Sequence, residues 1–370
     1  MNNNLHYQIG ATLIKGIGPI NAKKLISYLG GVEAIFNEKT EILKKIPGIG
    51  DALAHEIRTQ NVLLRAEKEI EFIERYQIKT HFYTDSSYPY RLKECEDAPI
   101  LLYSKGHEDL NTGRYLAIVG TRKASTYGKE LCQSIIKSLS QTQPNITIVS
   151  GLAYGIDVFA HKAALDYNVR TFGVVAHGLD RIYPTAHHAT AKKMIESGGT
   201  ILTEYPSQTN PDAPNFVERN RIVAGMCDAT LVVESALKGG SLITAELANS
   251  YNRDVFAFPG RITDIQSQGC NNLIYKNQAV LIQSANDLEH FMSWDSKPIG
   301  SIQTEQKLFE SLTQDEQCII DLLRQNESVY INHLATQSHI PLQKILGLLI
   351  QLEFKGLIKS IPGSLYKIQS

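Results

Sequence analysis

Short runs of apolar and β-branched residues alternate with amphipathic segments through the middle of the chain, from residue 114 to about residue 290. Such alternation is typical of a parallel β-sheet whose strands are joined by helices on both faces. The predicted strands are the apolar runs at 116–119, 147–150, 171–176, 200–203, 230–234, 255–258 and 279–282. The pattern therefore predicts an extended Rossmann-like α/β domain over residues 114–292.

Residues 1–75 have a helical pattern and contain a near-repeat. A turn of the type glycine, apolar residue, glycine occurs at 16–18 and again at 48–50, each followed by a small residue on a helix. The repeat resembles a helix-hairpin-helix (SAM-like) module, whose glycines let the backbone pass close to a phosphate. The region is therefore either a contact for a nucleic-acid backbone or a helical pair used only for packing or protein contact.

Two further regions flank the central domain. Residues 76–113 form a connector in which Pro89 and Pro99 exclude a helix through the middle. Its extended pieces at 80–83 and 100–103 are expected at a sheet edge, docked on the core. After a polar linker at 293–306, residues 307–370 are predicted to form a small winged helix.

The predicted winged helix opens with a capping-box pattern at Thr313 and Glu316. Second and third helices are expected at 331–337 and 342–354, followed by a hairpin around residues 362–363. The third helix is mostly leucine and isoleucine, with Lys344 and Lys355 as its positive charges. This composition favours a protein contact or a regulatory role over base reading.

Composition limits the classes of function. The chain has 370 residues, 43% hydrophobic content and a formal net charge of -1, so it is not a generally basic nucleic-acid protein. It begins without the pattern of a signal peptide and contains no apolar run of the ~20 residues that a membrane span needs, so a cytoplasmic protein is expected. The five cysteines are widely scattered, which predicts buried thiols and no metal site.

A basic loop follows the first predicted strand of the central domain. That strand ends at a glycine, and the loop leads into a segment with helical spacing. Amides at a helix start and cationic side chains together favour an anion. The residues predicted to bind it are Gly120, Arg122, Lys123, Ser125 and Gly128. No G-x-G-x-x-G follows any strand, so neither NAD nor FAD, nor any other cofactor, is expected.

Glycine-rich loops also follow other predicted strands, and such loops gather on one edge of an open α/β sheet. The loop after the predicted strand at 147–150 contributes Gly151 and Gly155. The loop after the predicted strand at 230–234 contributes Lys238, Gly240 and Ser241, with Ser241 expected as a helix N-cap. A further segment carries Arg219, Asn220 and Arg221 just before an apolar stretch. Two guanidinium groups and an amide suit phosphate oxygens or a base edge, although structural arginines tied to carboxylates fit the same pattern.

The ordered motifs resemble the DNA-processing protein A family, also called Smf. They read V-G-T-R-K-A-S-T-Y-G, S-G-L-A-Y-G-I-D, G-L-D-R-I-Y-P, F-V-E-R-N-R-I-V-A-G, G-G-S-L-I-T-A and V-F-A-F-P-G. The resemblance implies a dimeric protein that is not an enzyme. It would bind single-stranded DNA, protect incoming strands during natural transformation and load the RecA recombinase onto them.

Carried onto this chain, the resemblance implies phosphate ligands at Arg122, Ser125 and Ser241 and at the amides around Gly151 and Gly240. Arg219 and Arg221 would bind phosphate or hold the pocket together. Many members carry a basic residue where this chain has Thr185, and Lys192, Lys193 or His187 are the candidate substitutes. Aromatic side chains that could stack on bases are Tyr127, Tyr154, Tyr183, Tyr205 and Phe216, although packing under a loop is the commoner role.

A homodimer would raise avidity by pairing two weak pockets, and the segment with Leu273 and Ile274 is the candidate interface. One alternative is an enzyme resembling nucleotide phosphoribohydrolases, with Glu204, Glu234 or Glu246 stabilising a ribosyl cation. Another is a transcription regulator that uses the winged helix. The first is tested by release of free base from a nucleoside monophosphate, and the second by a search for duplex sequence preference.

Overall fold

A computed structural model describes residues 3–107, 109–294, 312–324, 329–338, 340–354, 357–361 and 365–368. The chain divides into two compact units, residues 1–296 and 297–370. Across the described residues, no helix is both long enough and apolar enough to span a membrane. Four of the five cysteines are buried free thiols, as predicted, and Cys318 is partly buried.

The first unit begins with a helical domain that contains both predicted hairpins. Gly18 and Gly50 are the N-cap residues of the helices that follow the two glycine turns, and Gly16 and Gly48 adopt left-handed φ angles of 78° and 91°. The repeat therefore has the predicted hairpin geometry. The helices are α1 (Asn3–Leu13), α2 (Pro19–Leu29), α3 (Ala34–Asn37), α4 (Thr40–Leu43), α5 (Asp51–Thr59) and α6 (Leu63–Tyr76).

A nine-stranded sheet forms the centre of the first unit, in the order β1-β2-β6-β5-β4-β3-β7-β8-β9. The strands from β6 to β9 in this order are parallel, whereas β2 is antiparallel to β6 and β1 to β2. The strands are β1 (Lys79–Phe82), β2 (Leu101–Gly106), β3 (Arg114–Val119), β4 (Ile146–Ser150), β5 (Arg170–Val174), β6 (Thr200–Thr203), β7 (Ala229–Val232), β8 (Asp254–Ala257) and β9 (Val280–Leu281).

Helices cover both faces of the sheet, which confirms the predicted Rossmann-like class. Tyr115, Ala117 and Val119 of β3 lie in one core cluster, and Leu116 and Ile118 lie in the other, because alternate strand residues face opposite sides. The helices are α7 (Tyr90–Lys93), α8 (Thr126–Thr142), α9 (Ile156–Asp166), α10 (His188–Glu196), α11 (Ala213–Gly225), α12 (Gly240–Ser250), α13 (Gln268–Tyr275) and α14 (Ala285–Phe291).

The connector docks at one edge of the sheet through β1 and β2, as its extended pieces predicted. Phe82, Leu101 and Tyr103 from these strands are buried in the same apolar cluster as the inner faces of α1, α2, α5 and α6. The helical domain and the sheet edge therefore share one core, and burial of this shared apolar surface holds them together.

The second unit has its own apolar cluster and a three-stranded antiparallel sheet. The predicted capping box is present, since Glu316 accepts from the Thr313 amide at 2.9 Å and Thr313 accepts from the Glu316 amide at 3.3 Å. The predicted turn at 362–363 lies outside the described residues. The elements are α15 (Gln314–Arg324), β10 (Val329–Tyr330), α16 (Ile331–Ser338), α17 (Leu342–Phe354), β11 (Ile358–Ile361) and β12 (Leu365–Ile368).

Candidate nucleic-acid interface

A cleft of about 720 Å³ lies at the carboxyl ends of the parallel strands. It opens where the strand order reverses between β3 and β7, the usual ligand position in an open α/β sheet. One side, here called the basic side, carries Arg122, Lys123, Lys238 and the start of α12. The opposite side, the aromatic side, carries Tyr183, Pro211 and Phe216. The sheet thus brings four separate loops to one opening.

The loop that carries Arg122 is fixed by hydrogen bonds to Glu234, which follows β7. The Glu234 carboxylate accepts from the Ser125 amide at 2.9 Å and from the Ser125 hydroxyl at 2.5 Å. The Ser125 hydroxyl in turn accepts from the Gly128 amide at 3.1 Å. A Cβ at Gly128 would overlap this carboxylate, so the glycine makes room for it. Ser125 and Gly128 therefore shape the loop, and both polar groups of Ser125 are already engaged.

Arg122 and Lys123 are exposed in the cleft at the tip of that loop. The Arg122 guanidinium lies 5.5 Å from the ring centroid of Phe216 on the opposite side. Its charge therefore stands at the mouth of the cleft, beside an aromatic face with which a cation interacts favourably.

The loop after β4 packs tightly against the loop that carries Arg122 at Gly155. This residue has φ 79°, and a Cβ there would collide with the Thr121 carbonyl. The Ile156 amide donates to that same carbonyl at 3.1 Å. The amide of Gly151, predicted to bind phosphate, donates instead to Asp157 at 3.2 Å. Gly155 thus permits close backbone approach, Gly151 leaves space for the Arg219 guanidinium, and the Gly151 amide is not free for a ligand.

Arg219 forms part of the cleft floor and is only 4% exposed. Its Nη1 donates to the Val174 carbonyl, and its Nε has no partner among the described residues. Burial lowers the pKa of Arg219, an effect that the nearby Asp157 opposes. Burial also raises the pKa of Asp157, and Arg219 is the main opposing influence. A buried positive group with an unused donor thus lies beneath the cleft.

The structure does not bring Arg221 into the cleft. Its Nη2 pairs with Glu204 at 2.5 Å on another face of α11, because residues two apart on a helix point in different directions. Asn220 does line the cleft, and its amide nitrogen lies 3.5 Å from the Gly240 carbonyl. Of the predicted triplet, Asn220 and Arg219 therefore remain candidates, and Arg221 is a structural ion pair.

The loop between β7 and α12 differs from prediction at the start of the helix. Helix α12 begins at Gly240 with Gly239 as N-cap and no side-chain cap hydrogen bond, so the predicted N-cap role of Ser241 is wrong. The Ser241 side chain is buried and donates to the Ser235 hydroxyl at 2.9 Å. The Leu242 amide donates to the Gly239 carbonyl at 3.1 Å. The amides before it in the first turn of α12 have no carbonyl one turn earlier in the helix to bond, so this end attracts an anion. Lys238 is exposed beside it.

The aromatic side comes from the loop after β5, the loop after β6 and the start of α11. Tyr183 and Phe216 lie 5.9 Å apart between ring centroids and line the cleft. Of the other predicted stacking residues, Tyr205 donates to Glu218 at 3.0 Å, and Tyr154 packs on His187 with 4.9 Å between centroids. Tyr127 lines a neighbouring cavity. Only Tyr183 and Phe216 of the five therefore border the cleft described here.

Several cleft residues were not singled out from the sequence as ligands, and three of them are polar or belong to irregular loops. Asp157, Pro211 and Gln266 all line the cleft. Asp157 stands inside a quoted motif and follows a strand end, a signal that would have found it. Pro211 and Gln266 stand in irregular loops without a distinguishing pattern, so only the fold could place them.

The candidate replacements for a basic residue at Thr185 lie elsewhere. His187 is buried and its Nδ1 is 2.8 Å from the Leu152 carbonyl, while Lys192 pairs with Glu196 at 3.7 Å. None of Thr185, His187, Lys192 and Lys193 is among the residues that line the cleft. The predicted dimer residues Leu273 and Ile274 also face inward, since Leu273 is buried and Ile274 packs against the same cluster.

The carboxylates that the hydrolase alternative needs lie outside the cleft lining. Glu204 pairs with Arg221, Glu234 bonds Ser125, and Glu246 is exposed on α12. The carboxylate within the described lining is Asp157, which accepts from two backbone amides. No group of three or more metal-ligating side chains occurs among the described residues.

The fold defines a class: a Rossmann-like domain with a cleft at the ends of its parallel strands, a helix-hairpin-helix module before it and a winged helix after it. Three family models match the chain in the same order. Residues 11–60 match a SAM-like helix-hairpin-helix tandem, residues 79–293 match DNA recombination-mediator protein A, and residues 304–364 match a DprA winged helix domain. The chain therefore belongs to the DNA-processing protein A family, also called Smf.

Individual relatives agree with this assignment. Protein Smf of Synechocystis sp. is 31% identical over 99% of this chain and 99% of its own. The X-ray structure of DNA processing protein A from Streptococcus pneumoniae covers 77% of this chain and 97% of its own, with 34% identity and a TM-score of 0.66. A Helicobacter pylori structure, described by its single-stranded DNA binding mode, covers 59% of this chain and 97% of its own, with 31% identity and a TM-score of 0.53.

Proposed function

We propose that this protein binds single-stranded DNA in the cleft between the basic and aromatic sides. The observation that carries the proposal is the pairing of exposed cations and a helix N-terminus with aromatic rings across one opening. Single strands are held by charge along the backbone and by stacking of bases on aromatic faces. The description of the Helicobacter pylori relative by its single-stranded DNA binding mode supports this proposal.

The contacts follow from the arrangement of the side chains. Arg122, Lys123 and Lys238 bind backbone phosphates, and the amides of Gly240 and Ser241 bind a phosphate at the start of α12. Arg219 supplies a positive field from the floor. Asn220 contacts the strand beside Gly240. Bases stack on Phe216 and Tyr183. Gly120, Ser125, Gly128, Gly151 and Gly155 set the loop shapes and make no side-chain contact with DNA.

Binding is tested with Arg122→Ala against the matched control Arg75→Ala, an exposed arginine of α6 outside the cleft lining. Loss of charged hydrogen bonds weakens binding of oligothymidine about tenfold or more. The slope of log affinity against log salt falls by about 0.7 for each single-strand phosphate that the variant no longer binds. Fluorescence anisotropy at two salt concentrations measures both quantities. Equal affinity of the two variants would place DNA elsewhere on the protein.

Within DNA processing during natural transformation, the bound strand is protected and then passed to the RecA recombinase. The match to a family described as a recombination mediator supports this step. When this protein is present, RecA is expected to form filaments on single-stranded DNA after a shorter lag. The lag is measured from the DNA-dependent ATP hydrolysis of RecA. An unchanged lag would contradict the RecA-loading role without affecting the proposal that the protein binds single strands.

The protein acts as a homodimer in this proposal, since two pockets on one strand raise avidity. Leu273 is buried, so an interface on this segment has to use its exposed neighbour Tyr275, which is 85% exposed. Sedimentation of the wild type at micromolar concentration is expected to give a dimer, and Tyr275→Ser is expected to shift it toward monomer. A monomeric wild type would count against the dimer without affecting the cleft.

The winged-helix unit serves as a protein contact in this proposal. Leu342, Leu346 and Ile350 are exposed on α17 and recur every four residues, so they form an apolar stripe along one face. Lys344 pairs with Asp315 at 2.5 Å, and Lys355 lies outside the described residues. An apolar stripe favours a protein partner over a phosphate backbone.

A further inference from the structure

The aromatic side of the cleft depends on a loop without regular structure. Residues 204–212, here called the wall loop, join β6 to α11. Pro211 of this loop lines the cleft, and the loop leads into the first turn of α11, which carries Phe216. A segment of this kind keeps a fixed shape only where other elements bond it. Which elements hold the wall loop therefore decides how well the aromatic side is positioned.

The centre of the wall loop is bonded to the helical domain. Glu69 of α6 accepts from the Ser207 amide at 2.9 Å and from its hydroxyl at 2.5 Å. Arg65, one turn earlier, donates to the Ser207 carbonyl at 2.5 Å and lies 3.2 Å from its hydroxyl. The amide, hydroxyl and carbonyl of Ser207 are thus all bonded to side chains of α6.

These bonds are buried and charge-assisted. Glu69 is 1% exposed and pairs with Arg65 at 2.9 Å, so its charge is balanced inside the contact. Removal of Glu69 would leave Arg65 and the Ser207 amide without their partner, which is costlier than loss of an exposed pair.

Docking of the helical domain does not by itself require this contact. The domain already shares an apolar core with Phe82, Leu101 and Tyr103 at the sheet edge. The Ser207 contact adds directional bonds to a single loop residue, and directional bonds fix a position where apolar packing fixes only proximity. Its effect therefore falls on the wall loop.

A chain of hydrogen bonds leads from Ser207 to the aromatic residues. The Gln208 amide donates to Asp180 at 2.8 Å, and Asp180 also accepts from Arg181 at 2.8 Å. Arg181 donates to Asn210 at 2.8 Å, and the Asn215 side chain donates to the Asn210 carbonyl at 3.1 Å. This path reaches both the loop of Tyr183 and the first turn of α11 next to Phe216.

We propose that Glu69, with Arg65, is a positioning residue for DNA binding: α6 of the helical domain holds Ser207 and so sets the aromatic side of the cleft. The proposal rests on the proposed function, because it assigns a consequence for the same cleft. It gives the helix-hairpin-helix domain a role in shaping the binding site without touching DNA at this contact.

The test compares Glu69→Ala with Glu71→Ala, an exposed glutamate on the same helix. Glu69→Ala is expected to weaken oligothymidine binding about threefold to tenfold with an unchanged salt slope, because every phosphate ligand is still present. Glu69→Gln keeps an acceptor for the Ser207 amide and is expected to recover most of the affinity. Glu71→Ala is expected to bind as the wild type does.

Double-mutant cycles separate positioning from general destabilisation. In a Phe216→Ala background the effect of Glu69→Ala is expected to become smaller, since Tyr183 alone remains for stacking, whereas in a Lys238→Ala background it adds in full to the effect of that substitution. If Glu69→Ala does not fold, Ser207→Ala removes only the hydroxyl bonds and enters the same cycles, with an expected loss of about twofold.

The outcomes also distinguish the two proposals. Full affinity in Glu69→Ala, or additivity with Phe216→Ala, overturns the positioning role while Arg122→Ala and Phe216→Ala still weaken binding. A reduced salt slope in Glu69→Ala overturns it as well, since it would indicate that fewer phosphates are bound. If neither Arg122→Ala nor Phe216→Ala affects affinity, the cleft itself is not the DNA site.

Discussion

Helices α8 and α12 begin beside each other at the same edge of the sheet, yet only the first turn of α8 is capped by a side chain. The start of α8 is closed by the protein itself, because Ser125 caps it and the buried Glu234 carboxylate bonds Ser125. The start of α12 has no side-chain cap and opens into the cleft. A glycine-rich helix start therefore serves an outside anion only where no carboxylate of the chain has reached it first.

The origin of the carboxylate explains the difference. Glu234 follows β7, which pairs with β3, so its side chain reaches the neighbouring loop across the sheet. Gly128 leaves the space for it. At α12 a Cβ on Gly240 would meet no atom within 4 Å, and the first turn is left for solvent or ligand.

The largest effect is expected from Glu234→Ala. Loss of the buried carboxylate leaves the Ser125 amide and hydroxyl unpaired, and we expect the free energy of unfolding to fall by about 2–3 kcal/mol. Glu246→Ala, at an exposed position on α12, is expected to change it by less than about 0.5 kcal/mol. Urea denaturation measures both. Equal stability of the two variants would mean that the α8 start does not depend on Glu234.

A smaller effect is expected from paired substitutions at the two helix starts. Gly128→Ala places a Cβ into the Glu234 carboxylate and is expected to cost about 1–3 kcal/mol of stability. Gly240→Ala places it in open space and is expected to be neutral or to stabilise by up to about 1 kcal/mol. Thermal unfolding of the two proteins gives the comparison. A larger loss in Gly240→Ala would reverse the assignment of closed and open starts.

The smallest effect is expected when a carboxylate is introduced at the uncapped N-terminus of α12. Gly240→Asp puts a carboxylate at the start of α12 in competition with a DNA phosphate, and single-strand affinity is expected to fall about threefold to tenfold. Gly31→Asp, where a Cβ also meets open space, is the control for the same change in net charge. Anisotropy titrations at low salt measure both variants. Equal affinities would show that the start of α12 does not contact the strand.

Sequence reasoning located most of the sheet because its signals are local. The predicted strand at 200–203 coincides with β6, and the other predicted central strands differ from the structure by one to a few residues at their ends. Apolar runs and strand-end glycines are read within a few residues, and burial of those runs leaves few alternatives. The predicted cleft residues Arg122, Lys123 and Lys238 also came together, since parallel strands send their loops to one edge.

Predictions that depended on side-chain direction were less successful. Arg219 and Arg221 stand two residues apart on α11, yet one reaches the cleft floor and the other pairs with Glu204. Ser241 was expected as an N-cap and lies one residue inside the helix instead. A shift of one or two positions along a helix turns the side chain by a large angle. The sequence pattern does not fix the start of a helix to that precision.

Hydrophobic periodicity and local turn chemistry were enough to predict the order of domains, the parallel sheet and the presence of a basic, glycine-rich edge. Which of the candidate groups remain open to a ligand, and which are taken by the protein, depends on the packing of the fold. Glu234 closes α8, Asp157 takes the Gly151 amide, and Glu69 holds Ser207 from a separate domain. Glu234 and Ser125 are 109 residues apart in the chain, and Glu69 and Ser207 are 138 apart, so packing of the chain had to bring these pairs together. The bond from Gly151 to Asp157 is local and spans six residues.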